Sequence, residues 1–295
     1  MQLLNRRTFL EITGASTGMA LLGATGVRAG GHRAAEVFTA DPQGGLVDST
    51  VLLGEEKAVL IDAQMNVPNA TRLADVIAAT GRDLETVFIT HMHPDHTLGL
   101  AVILDRFPNA RPVTHAQLQP VLAEALAPML QYMSGNAPAG VFADRVIVPE
   151  ALEADHILLE GDRIDVLDPM HGDTDLISAL HVPALDTLIA SDFVYADTFA
   201  WTAENTTPER VALWLESLDK LEAIGASTII PGHRQENSPN DATGFAQTRA
   251  YLAQWLDALD KAGSGDDLRA MMQEGNESLG MGFALETAVG TVYPE

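Results

Sequence analysis

The chain has 295 residues, 46% of them hydrophobic and 20% charged, which supplies a sizeable core and excludes a disordered chain. Its 17 Lys+Arg stand against 41 Asp+Glu, a net charge of −24, which argues against nucleic acid and anionic membrane as partners. There is no cysteine, so disulfides and thiolate metal ligands are both excluded.

Asn5-Arg6-Arg7-Thr8-Phe9-Leu10 is a twin-arginine pattern, followed by a Gly- and Ala-rich apolar run to about Gly26. Val27-Arg28-Ala29 then offers small residues where a signal peptidase needs them. The run is too short and too Gly-rich for a stable span. The reading is a Tat-type signal over 1–29, a mature chain in the periplasm or secreted, and no stable membrane insertion after processing. Residues 30–295 read as a single domain, because no linker is rich enough to divide them.

Residues 49–54 and 57–62 read as two strands joined by a turn at Gly54-Glu55-Glu56. Pro68 to Thr80 reads as a helix with Leu73, Val76 and Ile77 on one face and Gly81 at its end. Thr86-Val87-Phe88-Ile89-Thr90 reads as a buried strand, and a helix is expected over about 97–106. Residues 116–133 show helical spacing interrupted by Pro120 and Pro128. Strand candidates follow at 146–148, 156–159, 163–167, 177–182 and 185–190. Thr207-Pro208-Glu209-Arg210 opens a helix to about Ile224, with Thr at the cap and Pro in the first turn. A strand at 227–230, a helix over 243–262 and a short helix near 266–273 complete the chain. Periodicity alone places this among α/β or α+β proteins.

Between the strand at 86–90 and the helix after it lie His91, His93, Asp95 and His96. Neutral imidazole and carboxylate are the ligand types that suit zinc. Neighbours on one loop cannot all face one ion, so further ligands are expected at downstream strand ends. The candidates are His171, Asp192 and His233.

In this order the chain resembles a metallo-β-lactamase-fold hydrolase. The matching pieces are His-Met-His-Pro-Asp-His at 91–96, Met-His-Gly-Asp-Thr at 170–174, Ala-Ser-Asp at 190–192 and Pro-Gly-His at 231–233. Val59-Leu60-Ile61-Asp62 matches the strand that ends in a buried Asp near the site. The resemblance covers roughly residues 36 to 260. It implies a four-layer αββα sandwich of α+β class, with His91, His93 and His171 holding a first metal. Asp95, His96 and His233 would hold a second, and Asp192 would bridge them, as in the glyoxalase II and lactonase branches. Two departures, Ala63-Gln64 after Asp62 and Arg234 after His233, are expected to touch the pocket rim.

The implied cofactor is Zn2+, two ions per chain, with a bridging hydroxide as nucleophile on a small-molecule substrate. The bond cleaved would be an ester, lactone, thioester or amide-type bond. Asp95 would orient the hydroxide, and Tyr195 would donate to the oxyanion or simply pack. Asp62 would support a ligand histidine. His115, Met129, Tyr132, Met133 and Trp201 are candidates for the pocket wall, against ordinary core or surface roles. Two other classes stay open: a mononuclear iron oxidoreductase resembling persulfide dioxygenases, and a metal-binding protein without catalysis.

Overall fold

The computed structural model describes residues 34–294, so the expected signal at 1–29 lies outside the described residues. The first sheet runs β1 (Ala34–Thr39), β2 (Asp48–Leu53), β3 (Lys57–Ile61), β4 (Asp83–Ile89), β5 (Arg111–His115), β6 (Glu150–Leu152), in that spatial order. Its β1–β2 and β2–β3 pairs are antiparallel, and the pairs from β3 to β6 are parallel. The second sheet comprises β7 (His156–Leu159), β8 (Asp162–Val166), β9 (Leu180–Val182), β10 (Thr187–Ala196) and β11 (Thr228–Arg234), in the order β11-β10-β9-β8-β7. Only β10–β11 is parallel there.

Alternation along the strands sets the layers. In β3, Val59 and Ile61 face the second sheet, where they join Leu52, Phe88, Ile164, Leu180 and Ile189. Ala58 and Leu60 face the other way, toward α1 (Val67–Ala79), α3 (Leu100–Arg106) and α4 (Gln119–Gly135). The outer face of the second sheet is covered by α5 (Pro208–Glu222), α6 (Thr243–Lys261), α7 (Gly265–Gln273) and α8 (Gly282–Val292), around Trp214 and Trp255. Three apolar layers thus separate helices, sheet, sheet and helices, the expected αββα sandwich.

Local signals set most of the boundaries. Asn66 caps α1 by accepting from the Asn69 amide at 2.9 Å, and Thr207 caps α5 through the Arg210 amide. Where boundaries differ from expectation, a local reason is visible. The helix expected over 97–106 is split into α2 (Pro94–Thr97) and α3, because Gly99 packs on the loop after β3. A Cβ there would lie 2.1 Å from the Ala63 carbonyl oxygen. Pro120 falls in the first turn of α4, where its missing amide has no cost, and Pro128 sits on an exposed face of an unbroken helix. Residues 146–148 form no strand, since Pro149 offers no amide, and β6 starts only at Glu150. Of the strand expected over 177–182, only Leu180–Val182 joins the sheet; Ile177 instead pairs with Met170 in both directions, closing a loop that matters below.

Candidate metal centre

The loop after β3 begins the site. Asp62 and Gln64 take left-handed backbone angles, φ 63° and 72°, at a cost of about 1 kcal/mol each. Asp62 recovers this through its carboxylate, which accepts from the Thr90 amide at 2.9 Å, the Thr90 hydroxyl at 2.8 Å and the His96 Nδ1 at 2.7 Å. Gln64 is buried and bonded to Ser49 at 2.7 Å, while Arg234 is held by Asp48 at 3.0 Å and Asn240 at 2.9 Å. Neither lines the cavity, so the two departures serve packing rather than the rim.

Each histidine of the cluster directs one ring nitrogen to a protein acceptor and the other to a common space. His96 donates Nδ1–H to Asp62, and His233 donates Nδ1–H to the Gly45 carbonyl at 2.7 Å. His93 donates Nε2–H to Glu204 at 2.9 Å. The Thr90 hydroxyl gives its proton to Asp62, so its oxygen accepts from His91 Nδ1 at 3.0 Å. These partners set the tautomers, leaving Nε2 of His91, His96 and His233 and Nδ1 of His93 as lone-pair donors.

Three carboxylates face those lone pairs. Asp192 stands between the imidazoles, 3.2 Å from His96, 3.3 Å from His233 and 3.5 Å from His91. Asp173 lies 3.3 Å from His93 Nδ1, and Asp95 lies 3.4 Å from His233. The donor atoms form two groups, His91, His93, Asp173 and Asp192, and Asp95, His96 and His233, each within 4.8 Å of one another. Buried His91 Nε2, His96 Nε2, Asp173 Oδ1 and Asp192 Oδ1 have no hydrogen-bond partner among the described residues. Buried polar atoms almost always have one, so this set fits divalent cations.

Electrostatics agrees with the fit. Burial and the His96 charge push His91 down to about 4, which keeps its imidazole neutral and ready to ligate. Burial also acts to lower His93, His96 and His233, but Asp173 and Glu204, Asp192 and Asp62, and Asp192 and Asp95 respectively override it and hold all three up. Burial pushes Asp173 up to about 7, opposed by His93. A cation among these groups would satisfy the carboxylates and displace the protons.

The structure departs from expectation at His171. Asn205, fully buried, donates to the carbonyls of Gly172 at 3.1 Å and Asp173 at 2.8 Å, and accepts from His171 Nε2 at 2.8 Å. With the Met170–Ile177 pairing closing the loop, His171 is turned to Asn205 and Asp175, and Asp173 enters the cluster instead. Both sites then present two imidazoles and one carboxylate, with Asp192 beside both. Asp173→Ala should therefore remove at least one ion per chain, whereas His171→Ala should keep parental metal content by elemental analysis. The reverse pattern would restore His171 as the ligand.

Tyr195 is packed into the same group of carboxylates. Its hydroxyl is buried against Asp173 Oδ2 at 2.8 Å and Asp192 Oδ2 at 3.2 Å, and its ring stacks on His233 with centroids 5.1 Å apart. It braces these carboxylates while its ring borders the cavity. Of the wall candidates, Met133 and Trp201 line the cavity; His115 faces Asp168, and Tyr132 is exposed. Glu204, Asn205 and the Met281–Thr287 part of α8 were missed. Glu204 and Asn205 precede the Thr207 cap without a motif, and α8 lies beyond the matching pieces.

Gly232 shows how closely β10 and β11 approach. A Cβ there would lie 1.8 Å from Asp192 Oδ1 and 2.7 Å from the Ser191 backbone. Gly232→Ala should destabilise the metal-free protein by about 1–3 kcal/mol, the usual scale of overpacking, measured by urea unfolding. Unchanged stability with full metal content would show that the strands can part at no cost.

The model of the metallo-beta-lactamase superfamily matches residues 42–233. A metallo-beta-lactamase family protein from Thermus thermophilus is 21% identical with a TM-score of 0.56, over 82% of this chain and 87% of that one. A beta-lactamase domain protein from Burkholderia ambifaria is also 21% identical with a TM-score of 0.56, over 83% and 80%. A metallo-beta-lactamase from Pontibacter korlensis is 19% identical with a TM-score of 0.54, over 77% and 94%. At these identities the likeness is one of fold. No curated protein matches the sequence significantly.

Proposed function

The chain belongs to the metallo-beta-lactamase superfamily, and from that premise we propose a metal-dependent hydrolase with two zinc-class ions that cleaves an ester, lactone, thioester or amide-type bond. The observation that carries this reading is the pair of donor groups, four of whose buried atoms lack partners, at a cavity of about 410 Å³. His91, His93 and Asp173 would hold one ion, Asp95, His96 and His233 the other, and Asp192 would be shared, as in glyoxalase II-like sites. Such ions lower the pKa of water toward neutrality and polarise a scissile carbonyl.

The protein's own groups do the rest. Asp95 is the partly exposed member of the carboxylates, at the cavity face, and is placed to accept a proton from water entering there. Asp62, Glu204 and the Gly45 carbonyl hold His96, His93 and His233 in orientation. The reactive space opens on one side to the cavity and is closed on the other by the two sheets. Elemental analysis should find about two zinc-class ions per chain, and a panel of ester, lactone, thioester and amide substrates should yield at least one that is hydrolysed. Metal-loaded protein that cleaves none of them would overturn the reading.

One observation favours a second reading. With Asp173 in place of His171, the first group becomes two histidines and a carboxylate beside Asp192, a donor set that also suits non-haem Fe(II). A single iron per chain with oxygen consumption on a reduced sulfur substrate would decide for that oxidoreductase. We also propose that the protein acts in the periplasm or outside the cell, from its Arg6-Arg7 signal. Replacing both arginines by lysine should trap full-length protein in the cytoplasm, read by fractionation and immunoblot. Normal export of that variant would exclude the Tat route.

A further inference from the structure

The cavity above the metal centre has an unusual charge pattern. Among the described residues its lining contains Asp95, Asp173 and Asp192 but no lysine or arginine. Arginines near the lining in sequence are committed elsewhere: Arg234 to Asp48, Arg72 to Asp41, and Arg210 to Asp175 and the Glu204 carbonyl. Asp62 and Glu204 add their charges directly behind His96 and His93. Five carboxylates therefore surround a centre to which two divalent ions would bring only four positive charges. With both ions bound, five negative charges against four positive would still leave these groups at a formal −1, and the chain as a whole, at −24, adds to the repulsion of anions.

Away from the donor groups and the uncharged Gln43 and Thr287, the lining is largely apolar and soft. Met65 comes from the loop after β3, Met133 from α4, Trp201 from the loop after β10, and Met281 and Phe283 from the start of α8. Thioethers on flexible stems adapt to apolar groups of different shape, and an indole supplies a flat face. Phe283 is 49% exposed beside the cavity, an apolar surface that a hydrophobic ligand would cover. The volume of about 410 Å³ lies within the range of small-ligand sites.

We infer that this site selects uncharged substrates with an apolar chain, which seats on Met65, Met133, Trp201, Met281 and Phe283, and rejects substrates that carry a carboxylate or phosphate. The inference rests on the hydrolase reading for the word substrate, but the pocket property can be measured without turnover.

The experiment uses metal-loaded protein and two ligand series. The first is p-nitrophenyl esters with linear acyl chains of increasing length, each compared with its partner bearing a terminal carboxylate. The kcat/KM should rise by about fourfold per added methylene until the wall is covered, the factor expected for burying one CH2. The terminal carboxylate should lower it by about tenfold or more, as expected for an anion placed in a field of its own sign. The second series is the matching primary alkyl amides and dicarboxylate monoamides, followed by calorimetry as binding alone. Neutral amides should tighten with chain length and their carboxylates should not. Phe283→Ala should flatten the chain-length dependence, and Met133→Lys should narrow the gap between neutral and anionic ligands, with circular dichroism confirming the fold of each.

Equal or tighter binding of the anionic series to the unsubstituted protein would overturn the inference. Turnover of esters without any chain-length dependence would overturn it too, while leaving the hydrolase standing. Chain-length-dependent binding of amides by a protein that cleaves no ester would uphold the pocket assignment and remove the hydrolase reading.

Discussion

Asp192→Ala should empty the centre of at least one ion and lower hydrolysis by about a hundredfold or more, the scale set by losing one charge-stabilising group from an active site. The reason is positional. Asp192 is the one carboxylate within 3.5 Å of imidazoles from both donor groups, His91 in one and His96 and His233 in the other. It is also buried at the base of the cavity. The shortened side chain leaves space beside Gly232 instead of a clash, so the fold should persist. Elemental analysis and circular dichroism on the same preparation check both halves of the statement. Retention of two ions per chain would show that Asp192 does not join the sites.

Asp95→Asn should lower kcat by roughly a hundredfold or more, the usual scale for losing a general base, with a smaller change in KM. An amide oxygen can still touch a cation, but it carries no charge and takes no proton. The apolar wall that would hold the substrate is formed by other residues, so binding should largely survive. The measurement is kcat and KM on the best substrate of the panel, with metal content assayed in parallel. Near-normal kcat at full metal content would remove Asp95 from the proton transfer.

The reach of the sequence differs between elements and for identifiable reasons. The paired strands β2 and β3, the helices α1 and α5, and α6 were legible because short-range signals set them: the Gly54-Glu55-Glu56 turn between apolar runs, the Leu73, Val76 and Ile77 face ending at Gly81, Thr207 with Pro208, and the 243–262 periodicity. The break between α2 and α3 was not, because it is imposed by Gly99 meeting the Ala63 carbonyl, a contact between segments distant in sequence. The same holds at the site. His91, His93, Asp95 and His96 announce themselves by clustering. Whether His171 or Asp173 completes the first group depends on Asn205, more than thirty residues downstream, gripping the loop between them. Residue type pointed to the histidine, and the hydrogen-bond geometry sets the aspartate among the clustered donor atoms.

The donors sit at both sheets' ends, spread from His91 to His233, and this has a consequence for biosynthesis. A chain emerging from the ribosome folds from its N-terminal side. It can lay down β1 to β6 and their helices while His233 is still unmade. The first loop alone offers a partial set of ligands, with no Asp192 to share. The complete cluster exists only once β11 has slid in parallel beside β10, with α5 already folded between them. The complete site can therefore be loaded only after β11 is made and paired, through the cavity bordered by Asp95 and His93. A cation met by the first loop alone would find only part of its ligands; the full set closes on it when the second sheet is complete.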